Sequence, residues 1–100
     1  MALSVTIVAE GQMATTETDM YAPTGAVHCN LYLFNTNAAD QTVILFLQKS
    51  GGTSRKIWQG LLSQNWSAEK LGFRMGNGDK LRGLTTTATA VNYVVEVVAR

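Results

Sequence analysis

The chain contains one histidine and one cysteine, and they are neighbours, His28 and Cys29. A histidine beside a cysteine suggests a thiolate nucleophile with its general base. If both residues lie in a strand, however, their side chains point to opposite faces of the sheet and cannot act together. One histidine and one cysteine are also too few for a transition-metal site, unless carboxylates or a second chain complete it. We therefore expect His28 at the surface or in an interface, and Cys29 as an ordinary core thiol.

Glu17 and Asp19 are a second pair of groups that could do chemistry, since they share one face if their segment is a strand. Two carboxylates are the catalytic groups of most glycosidases. A hydrolase would need both to line a cleft, whereas carboxylates at this spacing usually lie on a solvated strand face. Gly51–Lys56 lacks the spacing of a phosphate-binding loop, and Asn65–Ser67 matches the glycosylation pattern without a predicted secretion signal. The sequence predicts no enzyme, no cofactor and no metal.

The elements that carry these residues are predicted to be strands. In residues 26–34 the odd positions are apolar and the even positions are polar or aromatic, which indicates a half-buried strand. Turn residues 35–40 and the apolar run 42–47 follow. This order predicts a hairpin whose second strand is central and covered on both faces.

Further strands are predicted along the rest of the chain. Residues 55–73 fit either two short strands or a short helix, and Gly60 in the interior favours the strands. The spacing of about 10 to 12 residues between strands predicts an all-β fold, a single antiparallel β-sandwich of jelly-roll or immunoglobulin-like type with seven to eight short strands. The remaining predicted strands are 4–9, 15–21, 55–62, 67–73, 80–86 and 91–98, with turns at 50–53 and 76–79 and an exposed turn at Pro23.

Composition limits the function classes. The chain has 100 residues, 46% of them hydrophobic and 15% charged, with a net charge of +1. We expect one domain over residues 1–100 with a real core, rather than a disordered chain. The small net charge predicts no nucleic-acid partner and no anionic membrane partner. No apolar segment approaches the roughly 20 residues that span a bilayer, and residues 1–4 lack the features of a signal peptide.

The charges are segregated along the chain. Residues 1–48 carry four acidic and no basic residues, a net of −4, whereas residues 49–82 carry seven basic and two acidic residues, a net of +5. An acidic surface of one copy could therefore meet a basic surface of the next in a ring or lattice. Alternatively, the strands interleave in space and the segregation disappears.

Aromatic residues suggest a binding surface. Tyr32 and Phe34 lie on the strand face opposite the apolar stripe, and Trp58 and Trp66 fall in the segment of uncertain structure. A sandwich that exposes large aromatics usually uses them against a protein or a flat sugar ring. The alternative is a core on both faces that simply covers them. The candidate interface residues are Tyr32, Phe34, Trp58 and Trp66, with Arg55 and Lys56 for ionic contacts.

From Tyr21 to Val98, about three-quarters of the chain, the order of turn and strand signatures resembles the small β-sandwich virion proteins of tailed bacteriophages. These are head-decoration, head-tail or tail-associated components. The sequence departs from that pattern at Trp58 and Trp66, where small or aliphatic residues would be expected, and in residues 1–20. That segment is interpreted as an N-terminal strand or arm that contacts a neighbouring subunit. The signatures are Tyr21–Gly25, Leu33–Thr36, Ala39–Val43, Gly51–Arg55, Leu61–Leu62, Gly78–Arg82 and Ala88–Asn92.

The resemblance implies a virion structural protein, with a capsid decoration or cement subunit as the leading interpretation. Such a subunit would act as a homo-oligomer bound to the major capsid protein or other virion proteins. It would lie on the capsid surface after synthesis in the host cytoplasm. Two alternatives remain: a neck or tail component of the virion, and a carbohydrate-binding module for host-surface glycans with Trp58 or Trp66 as its stacking platform.

Overall fold

The computed structural model describes residues 4–99, with side chains described for 6–68 and 73–98. All regular elements in this range are β-strands, so the all-β prediction is confirmed. The segment around the two tryptophans forms two strands rather than a helix. The strands are β1 (Ser4–Gln12), β2 (Thr18–Tyr21), β3 (Val27–Asn35), β4 (Gln41–Gln48), β5 (Ser54–Leu62), β6 (Ser67–Met75), β7 (Lys80–Thr85) and β8 (Val91–Ala99).

The strands form two antiparallel sheets, with the orders β1-β8-β3-β6 and β2-β7-β4-β5. Six of the seven connections pass from one sheet to the other, and only β4 and β5 form a hairpin. Immunoglobulin sandwiches keep more consecutive strands together in one sheet. Of the two predicted architectures, this eight-stranded order is therefore the jelly roll.

The predicted hairpin between the segments 26–34 and 42–47 is wrong. β3 lies between β6 and β8, whereas β4 lies in the other sheet between β5 and β7. β4 is central, as predicted, but it is covered on one face only. Its outward side chains Thr42, Ile44 and Phe46 are half-buried, because no further layer of the described chain packs over that face.

Residues 4–21, which include most of the proposed arm, pair within this chain. β1 is hydrogen-bonded to β8 and β2 to β7. β1 is nevertheless an edge strand of its sheet, with one side unpaired among the described residues. A contact of this segment with a neighbouring subunit therefore stays a prediction.

The core lies between the two sheets and follows the alternation of the sequence. Cys29, Leu31 and Leu33 of β3 face inward and are buried, as the apolar stripe predicted. They meet inward residues of the opposite sheet, among them Val43 and Leu45 of β4. Fully burying one such side chain contributes about 1.5–3 kcal/mol. One apolar face on each sheet is thus the main source of stability.

One end of the sandwich is closed by the buried side chain of Asn35. Its Nδ2 donates to the carbonyl oxygens of Ala39 and Leu62, at 3.0 and 2.9 Å, and its Oδ1 accepts from the Asn37 amide at 2.8 Å. The Asn35 carbonyl also accepts from the Asn65 amide at 3.1 Å. The side chain of Asn35 therefore joins the β3–β4 connection to the end of β5, and the backbone carbonyl of Asn35 binds the β5–β6 loop.

Gln41 fastens the neighbouring connection at the same end. Its Oε1 accepts from the Thr87 amide at 2.8 Å and from the Thr85 hydroxyl at 3.4 Å. Gln41 and Thr85 are both about 1% exposed. Polar groups buried this deeply are costly unless they are hydrogen-bonded. The amide of Gln41 therefore binds the start of β4 to the β7–β8 connection.

The opposite end is closed by Asp79. Its carboxylate accepts from the backbone amides of Gly76 at 2.8 Å and Ser50 at 3.0 Å, and from Lys49 Nζ at 3.1 Å. These hydrogen bonds, led by the one from Gly76, hold the pKa of Asp79 below its usual 3.8. Asp79 thus joins the β4–β5 turn to the β6–β7 turn.

The β2–β3 connection reaches the same end through Pro23. The sequence predicted Pro23 in an exposed turn, and this prediction is wrong, because the residue is buried. Its carbonyl accepts from the amide of Gly78 at 3.4 Å. Gly78 has a φ of +85°, and a Cβ there would lie 2.5 Å from the Ser50 hydroxyl. The turn therefore requires glycine at this position.

The contribution of the Asp79 contacts to stability can be measured by urea unfolding at decreasing pH. A carboxyl whose folded-state pKa is lowered stabilises the fold above its unfolded-state pKa, and this contribution is lost as the pH falls through the folded-state value. The urea midpoint should therefore fall as the pH drops below about the usual aspartate pKa of 3.8. Asp79→Asn should lower the midpoint at pH 7 and reduce the pH dependence. Asp40→Asn, in an exposed loop, is the matched control at pH 7. Equal pH 7 midpoints for Asp79→Asn and the unmodified protein would contradict the role of Asp79.

Candidate protein-binding surfaces

His28 and Cys29 are separated by the sheet, as predicted. His28 is exposed on the outer face of β3, where it lies opposite Val98 and Arg74 on the neighbouring strands. Cys29 is fully buried on the inner face, and burial raises the pKa of its thiol to about 11. A thiol of this kind stays protonated at neutral pH and is a poor nucleophile. The pair has no geometry for shared chemistry.

Glu17 and Asp19 both contact the guanidinium group of Arg82 on β7. Arg82 Nη1 donates to Glu17 Oε2, and Arg82 Nε donates to Asp19 Oδ1 at 2.7 Å. Lys80 Nζ lies 3.8 Å from the second oxygen of Asp19. The two carboxylates are therefore engaged by basic groups from a strand about 65 residues away, and they fasten β2 to β7. This is a structural ion-pair network.

The same network answers part of the question raised by the segregated charges. Arg82 and Lys80 from the basic half of the sequence neutralise Glu17 and Asp19 from the acidic half. Interleaving of the strands thus removes the segregation at β2 and β7. It persists elsewhere: Glu10 on β1 is exposed, and so are Arg55 and Lys56 on β5.

Tyr32 belongs to a polar cluster on the outer face of the β1-β8-β3-β6 sheet. Its hydroxyl donates to Glu96 Oε1 at 2.7 Å, and Asn30 Nδ2 donates to the same oxygen at 3.0 Å. Both hydrogen bonds lower the pKa of Glu96, and the one from Asn30 has the larger effect. Phe34 lies on the same face and is 41% exposed. The prediction that Tyr32 and Phe34 face away from the core is confirmed.

Trp58 faces inward from β5 and is half-buried, so only part of its ring is exposed for a contact. It lies opposite the buried Leu45 of β4 and packs against the core. Its indole ring covers Gly60, where a Cβ would lie 2.6 Å from ring carbons. Gly60 therefore leaves room for the ring, and the interior glycine that argued against a helix has a packing role.

Trp66 has the opposite environment. It ends the β5–β6 loop and is 63% exposed. Its backbone is fixed to Asn35, whose amide donates to the Trp66 carbonyl at 2.9 Å. Asn65, just before it, has a φ of 59°, in the left-handed region that asparagine tolerates. The loop thus presents a large apolar ring from a fixed backbone.

Sequence reasoning did not identify the apolar residues of the two edge strands. Ile7 is 60% and Val8 37% exposed on β1, and Leu61 is 60% and Ile57 39% exposed on β5. β-Bulges are responsible in part, since the β1–β8 register shifts between Ile7 and Ala9, and the β4–β5 register shifts between Leu45 and Phe46. A bulge breaks the period of two and is not visible in the hydrophobic pattern.

One small concave site lies at an end of the sandwich. A pocket of about 20 Å³, room for about one water molecule, lies between the β1–β2 connection and Gly83. Among the side chains that the structure describes, those of residues 6–68 and 73–98, no group of three or more His, Cys, Asp or Glu is arranged to hold a metal ion. Over the same residues there is no helix with the length and apolar character needed to cross a membrane.

Several solved structures share this fold. A chain from Bacillus endospore appendages, described as a family of disulfide-linked pili, has 17% identity and a TM-score of 0.60 over 97% of this chain and 84% of that chain. The Tobacco streak virus coat protein has 7% identity and a TM-score of 0.50 over 95% and 84%. A Clostridium thermocellum xylanase chain with CBM22 and GH10 modules, complexed with xylohexaose, has 8% identity and a TM-score of 0.50 over 98% and 24%.

At these identities the likeness shows the fold alone. Neither a family model nor a curated protein sequence matches the chain. The sandwich implied by the sequence resemblance is therefore confirmed, whereas the relation to tailed phages stays a prediction. The six candidate interface residues do not form one surface: Tyr32 and Phe34 lie on a sheet face, Trp66 on an end loop, and Arg55, Lys56 and Trp58 on edge strand β5.

The contrast between the two tryptophans can be tested by truncation. Trp58→Ala should lower the free energy of unfolding by about 2 kcal/mol or more, because it removes a large ring from the core margin. Trp66→Ala, the matched control, should change it by less than about 0.5 kcal/mol. Chemical denaturation followed by circular dichroism measures both. Equal losses for the two variants would disprove the different placement.

Proposed function

We propose that this chain is a decoration or cement subunit of a bacteriophage capsid, which binds the major capsid protein and stabilises the head. The observation that carries the proposal is the set of large apolar side chains exposed on a sandwich whose core is already filled. Exposed apolar residues that lie together on an edge strand, as they do on β1 and on β5, are typical of surfaces that bind other proteins. The exposed side chains are Ile7, Val8, Phe34, Ile57, Leu61 and Trp66.

The comparisons support a structural role at a coarser level. Two of the similar structures are described as a family of pili and a virus coat protein. The assignment to a phage head rests on the sequence resemblance between Tyr21 and Val98. On a symmetric shell, many weak contacts of such a subunit would add to high avidity.

In this role the chain carries out no reaction. The groups that could do chemistry are used otherwise: Arg82 engages Glu17 and Asp19, and Cys29 is fully buried. Cys29 is the one cysteine of the sequence, and its burial does not favour a disulfide between subunits. We therefore infer that its contacts are non-covalent, unlike the disulfide linkage described for the endospore pili.

Virions give the direct test. Mass spectrometry of purified particles of the phage that encodes the chain should find it in hundreds of copies, as a shell protein requires. Particles from a deletion mutant should be tailed but fragile on heating or dilution, because the head loses its cement. About a dozen copies or fewer, or tailless heads after deletion, would instead identify a neck or tail component. Absence from the particles would refute the virion role.

A carbohydrate-binding module is the second candidate, and Trp66 is the observation that favours it. An exposed indole on a fixed loop is suited to stacking on a sugar ring, and the xylanase chain that shares the fold includes a CBM22 module. Trp58 is not suited to this, because its ring packs against Gly60.

Glycan binding separates this candidate from the structural role. If the chain is a sugar-binding module, it should bind an oligosaccharide on a glycan array, and Trp66→Ala should weaken the binding while leaving the fold intact. An aromatic stacking contact contributes on the order of 1 kcal/mol, so the loss should be about fivefold or more. A lack of sugar affinity in the unmodified protein would eliminate this function.

A further inference from the structure

The two edges of the sandwich that expose aliphatic residues lie on opposite sides of the molecule. β1 and β2 are the edge strands on one side, and β5 and β6 are those on the other. We call the exposed surface around Ile7, Val8 and Glu10 the β1 edge. The surface formed by Arg55, Lys56, Ile57 and Leu61 is the β5 edge. Neither edge strand has a partner on its outer side among the described residues.

The β1 edge is apolar and acidic. Ile7 and Val8 follow one another at a bulge and are both exposed. Glu10 is exposed on the same strand. The edge strand also presents backbone N–H and C=O groups without a ladder partner, which a neighbouring strand can satisfy.

The β5 edge has the same apolar content and the opposite charge. Ile57 and Leu61 are exposed, and Arg55 and Lys56 are exposed immediately beside the bulge. Lys56 Nζ donates to Gln59 Oε1 at 2.9 Å, a neutral group that leaves its charge uncompensated. No carboxylate among the described residues forms an ion pair with Arg55 or Lys56.

We propose that copies of this chain associate head to tail, with the β1 edge of one copy packed against the β5 edge of the next. Two β1 edges in contact would place two acidic strands side by side with no basic group between them, and two β5 edges would bring four basic side chains to one interface. Like charges in close contact are destabilising. Only the head-to-tail arrangement joins apolar residues to apolar residues and opposite charges to each other.

Such a contact joins two different surfaces, so it is heterologous. A heterologous contact builds a ring when the rotation between copies closes, and an open filament when it does not. The inference rests on the proposed function, because it treats the chain as a repeating subunit. Beyond that function, it names a second copy of the chain as the partner and the β1 and β5 edges as the two surfaces in contact. The ion pairs are exposed, so the association should weaken as salt is raised.

Sedimentation velocity of the purified protein tests the association directly. We expect oligomers that grow with concentration at low ionic strength and dissociate in high salt. Glu10→Lys should raise the dissociation constant at least about fivefold, because an attraction of up to about 1 kcal/mol is lost and a repulsion replaces it. Arg55→Glu combined with Lys56→Glu should raise it more than about tenfold on the same reasoning. Asp40→Lys makes the same charge change as Glu10→Lys in an exposed end loop and should leave association unchanged.

Mixing the two charge-reversed proteins is the decisive measurement. Each alone carries like charges on both edges, whereas in a mixture the basic β1 edge of one meets the acidic β5 edge of the other. Association should therefore return in the mixture. Circular dichroism of each variant confirms that it is folded, so that a lost contact is not mistaken for unfolding.

Three results would overturn the inference: a monomer at the highest soluble concentration, an equal effect of Asp40→Lys and Glu10→Lys, or no recovery in the mixture. These results are distinguishable from a failure of the proposed function. A protein that is monomeric in solution but present in hundreds of copies per virion would retain the decoration role and lose the head-to-tail contact. A protein absent from virions that still oligomerises through these edges would do the reverse.

Discussion

The structure depends on fastening strands that are not neighbours in the sequence. Because six of the seven connections cross between the sheets, almost no strand is held by a tight hairpin to the one before it. The crossing connections meet at the two ends of the sandwich, where backbone polar groups leave the sheets and must find other partners. Asn35 and Gln41 at one end and Asp79 at the other provide those partners. Each is buried, so removing one would leave several donors or acceptors without a partner in a dry environment.

This arrangement determines which surfaces remain for binding. The inner faces are filled by the core, and buried side chains tie the connections together at both ends. Arg82 and Lys80 are used to hold β2 against β7, so they do not contribute free positive charge at that edge. The outer faces, the exposed Trp66 and the edges of β1 and β5 are what is left. Surface chemistry in this molecule is therefore mainly apolar contact with a few unpaired charges, which suits adhesion between proteins.

The alternation of apolar and polar residues was enough to predict nearly every strand, since a period of two is the direct consequence of one buried face. It could not predict which strands pair. The segments that became β3 and β4 were assigned to a hairpin because a turn separates them, but that turn carries the chain across to the other sheet. The expectation that Pro23 is exposed and the choice of Trp58 as a contact residue also came from the local sequence pattern, which does not show which other segments pack against a residue. Burial at an end or an edge depends on contacts outside the local pattern: the β6–β7 turn reaches Pro23 through Gly78, and Trp58 lies opposite Leu45 on the neighbouring strand.

The edge strands β1 and β5 combine exposed apolar residues with features that make strand pairing selective. A long, flat, apolar edge pairs with any exposed strand, and proteins prevent this with charges and bulges. β1 and β5 each carry both: Glu10 and a bulge after Ile7 on one, Arg55, Lys56 and a bulge at Ile57 on the other. These features reject an edge of the same charge or a regular, uncharged strand. An edge of opposite charge that has its own exposed aliphatic residues is not rejected in this way. Its charges attract those of the first edge, and its apolar side chains cover the exposed apolar side chains of the first edge. The charges and bulges that limit strand pairing at these edges are therefore also the features that would select a partner.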